Sequence, residues 1–262
     1  MSPGPVGAAP EEATAVDLWT LPEGLVAELA ELVGGPAAVL APDERARHAR
    51  QRSSGARRRF LGGRLLCRVA LSARAGLPPA AWRFTVGRHG RPELDPGHAG
   101  LRFNLSHTEG LIACVVAQGH ACGVDVERVP FGDETVRLLS AQLGEAQRAA
   151  VAGAPDSATA LGELWVLTEA YLKGIGTGLV NGLGDLRFTR RAEGTGLVVT
   201  DSVRPGAARR WRLELLRPGP GHLLAVAVSD GGAGRLRRHD LAEAGRFPLR
   251  LWPAGPHVPA SS

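Results

Sequence analysis

Gly123-Val124-Asp125-Val126-Glu127 is the densest chemical text in this 262-residue chain. In a strand, side chains alternate faces, so Val124 and Val126 point one way and Asp125 and Glu127 the other. Two carboxylates side by side fit a solvated strand face. They equally fit a site for a hard cation, Mg²⁺ or Mn²⁺, which takes oxygen ligands from carboxylates and phosphates. A second pair lies in Trp165-Val166-Leu167-Thr168-Glu169-Ala170-Tyr171-Leu172-Lys173. On a helix, Glu169 and Lys173 are four apart and share a face. They read as an exposed ion pair of small worth, or as a third carboxylate beside an ammonium for a phosphate. Lys173 is the only lysine among 31 basic residues, all the others being arginine. An ammonium can give up a proton at physiological pH and a guanidinium cannot, which favours a chemical role for Lys173.

Phe103-Asn104-Leu105-Ser106-His107 ends a strand and precedes a turn. That is where a strand delivers polar groups to a cleft edge, and Ser106 and His107 have the chemistry to bond a phosphate. They also fit as plain turn residues. There is no Gly-x-Ser-x-Gly elbow, so a nucleophilic serine is not expected. Residues 45–68 hold nine arginines and no acid. Uncompensated like charges repel one another, so an anionic ligand or an acidic protein surface is expected to face them. The Gly-rich run after Lys173 follows a helix instead of opening one, so it reads as a helix stop and not as a phosphate loop.

These groups need scaffolding. Residues 1–14 are Gly/Pro/Ala-rich and read as a disordered arm. A strand over Val16–Trp19 and a helix over Pro22–Val33 follow. Asp43–Ala73 is helical, broken near Ser53–Gly55, with Leu61, Leu65, Leu66 and Val69 at helical spacing. Leu101–Ser106, Leu111–Ala117 and Gly123–Glu127 read as strands, residues 134–151 as helical, and Ala158–Lys173 as a helix that stops at Gly174. Strands are expected over Leu186–Thr189, Gly196–Thr200, Trp211–Leu216 and His222–Ser229. Residues 231–262 are basic, contain proline, and read as a loosely held tail. The text of residues 101–117 is echoed loosely by residues 211–229, which points to two α+β halves, residues 15–120 and 121–230.

Composition sets the frame. Hydrophobic residues make up 44% and charged residues 22%, enough apolar material for a core, so global disorder is excluded. The first basic residue is Arg45, so residues 1–44 lack the positive region of a secretory signal. Leu111–Ala117 is too short to span a bilayer, and no membrane association is expected. Cys67, Cys114 and Cys122 show no metal spacing and fit reduced thiols in a cytoplasmic protein.

Taken together, Gly90-Arg91-Pro92, Phe103–His107, Gly123–Glu127 and Trp165…Glu169-Ala170…Lys173, with Gly176-Thr177-Gly178-Leu179, resemble the surfactin-type family of 4′-phosphopantetheinyl transferases in order and spacing. The resemblance spans roughly Arg45 to Leu179. It implies an α+β fold of two similar halves packed as a pseudo-dimer. It also implies Mg²⁺-dependent transfer of the phosphopantetheine arm of coenzyme A to a serine of apo acyl, aryl or peptidyl carrier proteins, with 3′,5′-ADP leaving. Asp125, Glu127 and Glu169 match the metal ligands. Arg91, Ser106 and His107 match coenzyme A contacts, and Lys173 matches the lysine beside the reacting phosphate. Arg47, with Arg45 as a rival, matches the residue that holds the 3′-phosphate, and Arg59 falls near another contact. The family commonly has lysine where this chain has Thr168, which leaves Glu169 and Lys173 to carry the chemistry. Its larger single-chain members are monomers, and its carrier partners are acidic. Two other readings compete: a basic nucleic-acid-binding protein, which the lack of a known nucleic-acid module disfavours, and a degenerate coenzyme A-binding scaffold, motivated by Thr168.

Overall fold

A computed structural model describes residues 15–87, 92–95, 98, 100–178, 186–192, 196–231 and 234–242. The first half begins with β1 (Val16–Pro22) and a 3₁₀ turn (Glu23–Leu25). Helices α1 (Val26–Leu32), α2 (Pro36–Val39), α3 (Pro42–Ala49) and α4 (Ser54–Ala75) follow. Then come β2 (Phe84–Val86), β3 (Pro92–Leu94), β4 (Leu101–Thr108) and β5 (Leu111–Gln118). The second half runs β6 (Cys122–Arg128), α5 (Asp133–Gln142), α6 (Glu145–Ala152), α7 (Ser157–Ile175), β7 (Leu186–Arg190), β8 (Leu197–Asp201), α8 (Pro205–Ala208), β9 (Arg212–Leu216), β10 (His222–Val228) and β11 (Leu236–Asp240). The architecture is α+β: one sheet in the order β11-β1-β5-β4, a second in the order β6-β10-β9-β8-β7, and a small β2-β3 hairpin.

Each main sheet buries one face under a long helix. Ser53 caps α4 by accepting the Ala56 N–H at 3.1 Å, and Gly76, at φ 71°, ends it in the left-handed region. The apolar side of α4 packs with Trp19, Leu21, Ile112, Cys114 and Val116 into one core. Asp156 caps α7 by accepting the Thr159 N–H at 3.0 Å. Leu161, Val166, Ala170 and Tyr171 of α7 bury Leu213, Leu223, Ala225 and Ala227 beneath them. The opposite faces of the two sheets meet in a third core, in which Leu18, Ala113 and Val115 pack with Val124, Val126, Leu224 and Val226. Val124 and Val126 therefore face the other sheet, while Asp125 and Glu127 face the helix side, as strand alternation requires.

The sequence reading needs correcting in three places. Residues 231–262 were expected to trail as a tail, yet Leu236–Asp240 pairs in parallel with β1. Asp17 holds it there: Arg237 Nε donates to Asp17 Oδ1 at 2.8 Å, His239 Nε2 lies 3.0 Å from the same oxygen, and Arg74 donates to Oδ2 at 3.2 Å. Helix α7 does not stop at Gly174 but runs to Ile175 and caps at Gly176, φ 75°. Gly174 serves instead as a contact: a methyl group there would press on the Trp211 ring. Residues 134–151 form two helices, broken at Leu143-Gly144, where the Gly144 N–H donates to Gln147 at 3.2 Å.

Candidate active site

The two sheets meet along the edge strands β4 and β6, and the site is built on that seam. An edge strand leaves backbone N–H groups unpaired, and buried ones need partners. Two side chains of β4 provide them. Asn104 Oδ1 accepts the Val124 N–H at 2.9 Å, and Ser106 Oγ accepts the Val126 N–H at 3.3 Å. Strand alternation sends Asn104 and Ser106 to the same side, while Phe103 goes to the α4 core.

Helix α7 then crosses β6 unusually closely. A Cβ on Gly123 would collide with the Ala170 carbonyl and the Gly174 backbone. Only glycine permits this approach, and the approach lowers Glu169 and Lys173 onto Asp125. Lys173 Nζ donates to Asp125 Oδ1 at 2.5 Å and to Ser106 Oγ at 3.1 Å. Ser106 Oγ donates in turn to Asp125 Oδ1 at 2.9 Å. Ser106 thus donates one hydrogen bond and accepts two, which saturates a hydroxyl. Asp125 and Ser106 are buried, and Lys173 is half-buried with its side chain 29% exposed.

Asp125 Oδ2 and Glu169 Oε1 are buried with no hydrogen-bond partner among the described residues. Buried carboxylate oxygens left unpaired are costly, and a divalent cation would satisfy them. The donor set therefore fits a hard cation. No group of three His, Cys, Asp or Glu residues is gathered into a ready cage among the described residues. The Lys173 ammonium instead supplies the positive charge on Asp125. Burial, and then the Asp125 charge, push the Glu127 carboxyl up to about 7, while Trp165 hydrogen-bonds it and opposes the rise. Burial also raises Glu169, with Asp125 adding and Lys173 opposing.

Beside this cluster opens a cleft of about 290 Å³ lined by Phe60, Arg64, Pro92, Ser106, His107 and Lys173, among others. Desolvation lowers the pKa of His107, and the cations of Arg59 and Lys173 add to the effect. The structure thus gathers Asp125, Ser106 and Lys173 by direct bonds, and sets Glu127, Glu169 and His107 around them. Arg59 is engaged with Glu23 at 3.1 Å. Arg47 sits half-buried on α3 and does not line the cleft; its rival Arg45 donates to the Leu40 carbonyl at 2.6 Å. Arg91 lies outside the described residues. Thr168 is buried, 1% exposed, so its side chain is in the interior and not in the cleft.

The arginine stretch is not bare, as its sequence implied. Arg58 and Arg59 pair with Glu23, and Arg64 and Arg68 pair with Glu44. The compensating acids lie outside residues 45–68, Glu44 directly before the stretch and Glu23 well upstream on the 3₁₀ turn, which is why counting within the stretch missed them. Sequence reasoning also gave no role to Asn104, Arg64 or Trp165. For Asn104 the signal was present: it stands two residues before Ser106 and so shares its strand face.

Comparison with known proteins identifies the family. The family model of the 4′-phosphopantetheinyl transferase superfamily matches residues 121–227, which include β6 and α7. A 4′-phosphopantetheinyl transferase, HetI, of Nostoc sp. is 30% identical over 222 residues, 83% of this chain and 89% of that protein. A phosphopantetheinyl transferase of Thraustochytrium sp. is 29% identical over 217 residues, 74% of this chain and 72% of that one. A solved holo-[acyl-carrier-protein] synthase of Thermotoga maritima overlaps 41% of this chain and 61% of its own, with a TM-score of 0.32 and 22% identity. The likeness to HetI runs through both halves and across the seam that joins them, and on it the chain belongs to the 4′-phosphopantetheinyl transferase superfamily.

Proposed function

We propose that this chain transfers the 4′-phosphopantetheine arm of coenzyme A to a serine of an apo carrier protein. The observation that carries the reading is the cluster of Lys173, Ser106 and Asp125 at the wall of a cleft, with Glu169 one helical turn from Lys173. Phosphoryl chemistry of this kind is mostly positioning and charge stabilisation, so a buried carboxylate set beside one ammonium is what it needs.

The carrier serine oxygen forms a bond to the β-phosphorus of coenzyme A, and the bond from that phosphorus to the bridging oxygen breaks, releasing 3′,5′-ADP. Glu169 would take the serine proton, and Lys173 would neutralise the departing phosphate. His107 lines the cleft where phosphates would lie. Ser106 has no bonding capacity left, so it would donate to a phosphate only by turning its hydroxyl proton away from Asp125. Asp125, Glu127 and Glu169 would hold Mg²⁺ or Mn²⁺, which when bound would spread the charge of the diphosphate. Arg47, Arg59 and Arg91 are proposed coenzyme A contacts. An acidic carrier surface would meet the arginines of α3, and the reading is of a monomer acting in the cytoplasm without membrane or nucleic acid. Among the described residues, no helix is long and apolar enough to cross a membrane.

The deciding experiment is intact-mass spectrometry of an apo carrier mixed with this protein, coenzyme A and Mg²⁺, with an EDTA control. One added phosphopantetheine arm, absent with EDTA, is the expected result. No mass gain on acyl and peptidyl carriers alike would overturn the reading.

A further inference from the structure

A second concavity, about 990 Å³, opens on the far side of α7 from the seam. Ala160, Glu163, Leu164 and Leu167 line it, whereas Trp165, Glu169 and Lys173 serve the site. At about 100° per residue these two sets point in opposite directions from the helix axis. The groove is therefore independent of the transfer site.

Its floor contains a strand edge. Strand β8 pairs with β9 only at Arg212 and Leu213. Just before β8, Gly196 accepts the Arg191 N–H at 3.2 Å and packs against Leu213. From Glu214 onward, β9 has β10 on one side and no strand on the other among the described residues. Glu214, Leu215, Leu216 and Arg217 all line the groove. Half-buried Leu164, Phe188 and Leu197 form its apolar walls. Natural sheets cover or blunt such edges, and an open edge is a template for an added strand.

The rim is positive. Arg187, Arg190 and Arg238 are exposed and have no carboxylate partner among the described residues. The two acids present are already engaged: Glu163 with Arg217 at 2.6 Å, and Glu214 with Arg212. A basic occupant would be repelled. That disfavours the chain's own residues 245–262, which carry Arg246 and Arg250 and no acid.

We propose that this groove binds an extended acidic segment of a protein partner, which adds as a strand to the free edge of β9. Backbone bonds to the edge would give affinity, alternate apolar side chains would enter the walls, and acidic side chains would meet the three arginines.

The test uses the full chain and a fluorescein-labelled peptide, Asp-Val-Glu-Val-Asp-Val. One control is the same peptide N-methylated at alternate amides, and another has lysine at the acidic positions. A saturable rise in anisotropy is expected for the acidic peptide, with binding about tenfold or more weaker after N-methylation and in the triple variant R187E/R190E/R238E. Slowed amide exchange at Leu215–Arg217 on binding is expected as well. Coenzyme A-dependent carrier modification by the triple variant should match the parent, which also reports that it folds. No saturable binding would overturn the proposal. So would equal binding of the N-methylated or lysine peptide, since the first would mean a charged patch without edge pairing and the second no use of the arginine rim.

Discussion

Lys173 Nζ lies 2.5 Å from Asp125 Oδ1, joining a helix of the second half to its edge strand, and both residues bond Ser106 from the first half. One hydroxyl thus ties the chemistry to the seam between the sheets. Asp125 and Glu169 each keep a buried oxygen unpaired, which costs the fold, although Asp125 also holds Lys173 and Ser106 through its other oxygen. Asp125→Ala and Glu169→Ala are expected to abolish transfer, by at least ~10³-fold, with circular dichroism near the parent in both and melting near the parent in Glu169→Ala but lowered in Asp125→Ala, which leaves Lys173 without its carboxylate. Measuring turnover alongside melting separates the two effects.

Lys173→Arg keeps the charge but replaces a compact ammonium with a planar fork that cannot release a proton. Transfer is expected to fall roughly 10²-fold. Steady-state rates at saturating coenzyme A check this; full activity would show that any cation suffices at that position.

Asn104→Ala would strand the buried Val124 N–H on the seam. The expected cost is about 1–3 kcal/mol. A urea melt should show an earlier midpoint, with the slope of the transition unchanged.

Gly123→Ala drives a methyl group into the Ala170 carbonyl, and backbone on a packed helix cannot step aside. Loss of soluble folded protein, or a folded protein without transfer activity, is expected. Gly174→Ala should be milder, because its close collision is with a side-chain ring, Trp211, while the Gly123 backbone nitrogen lies at van der Waals distance, 3.4 Å. Expression and activity of the two variants side by side test the ranking.

Asp17 carries the pH dependence of the C-terminal strand. Burial would raise its pKa, but the bonds from His239 and Arg237 and the charge of Arg74 outweigh burial and hold it below 3.8. A depressed carboxyl stabilises the fold above its unfolded pKa, and that contribution is lost as pH falls through the folded value. Asp17→Asn should cost about 2–3 kcal/mol at neutral pH. The figure sits below that for a fully buried pair because Arg237 and His239 are 38% and 35% exposed. Melting curves of parent and variant should converge as pH falls well below 3.8, where Asp17 is protonated and resembles Asn.

What could be read in the sequence was whatever depended on neighbours along the chain. Strand β6 was legible because Val and acid alternate through Gly123–Glu127, and α7 because its apolar residues repeat over a long stretch. Strand β11 was not. Leu236-Arg237-Arg238-His239-Asp240 has almost no apolar alternation, and its stabilising partner Asp17 stands 220 residues before Arg237. Gly174 looked like a helix stop because its role, close passage over β6, depends on a strand fifty residues away in the chain. Glu23, which pairs with Arg58 and Arg59, escaped for the same reason, whereas Glu44 stands directly before Arg45 and escaped because its partners Arg64 and Arg68 lie on the next helix. The residue types of the candidate site were visible, while the strut Asn104 and the shared hydroxyl of Ser106 needed the packed sheets to show their use.

The parallel pairing of β11 with β1 sets an order on biosynthesis. Strand β1 must wait for β11 to cover its edge, so the emerging chain carries an open sheet edge until residue 240 has left the ribosome. Loss of β11 would thus expose the edge of β1 in the first half, about two hundred residues away along the chain.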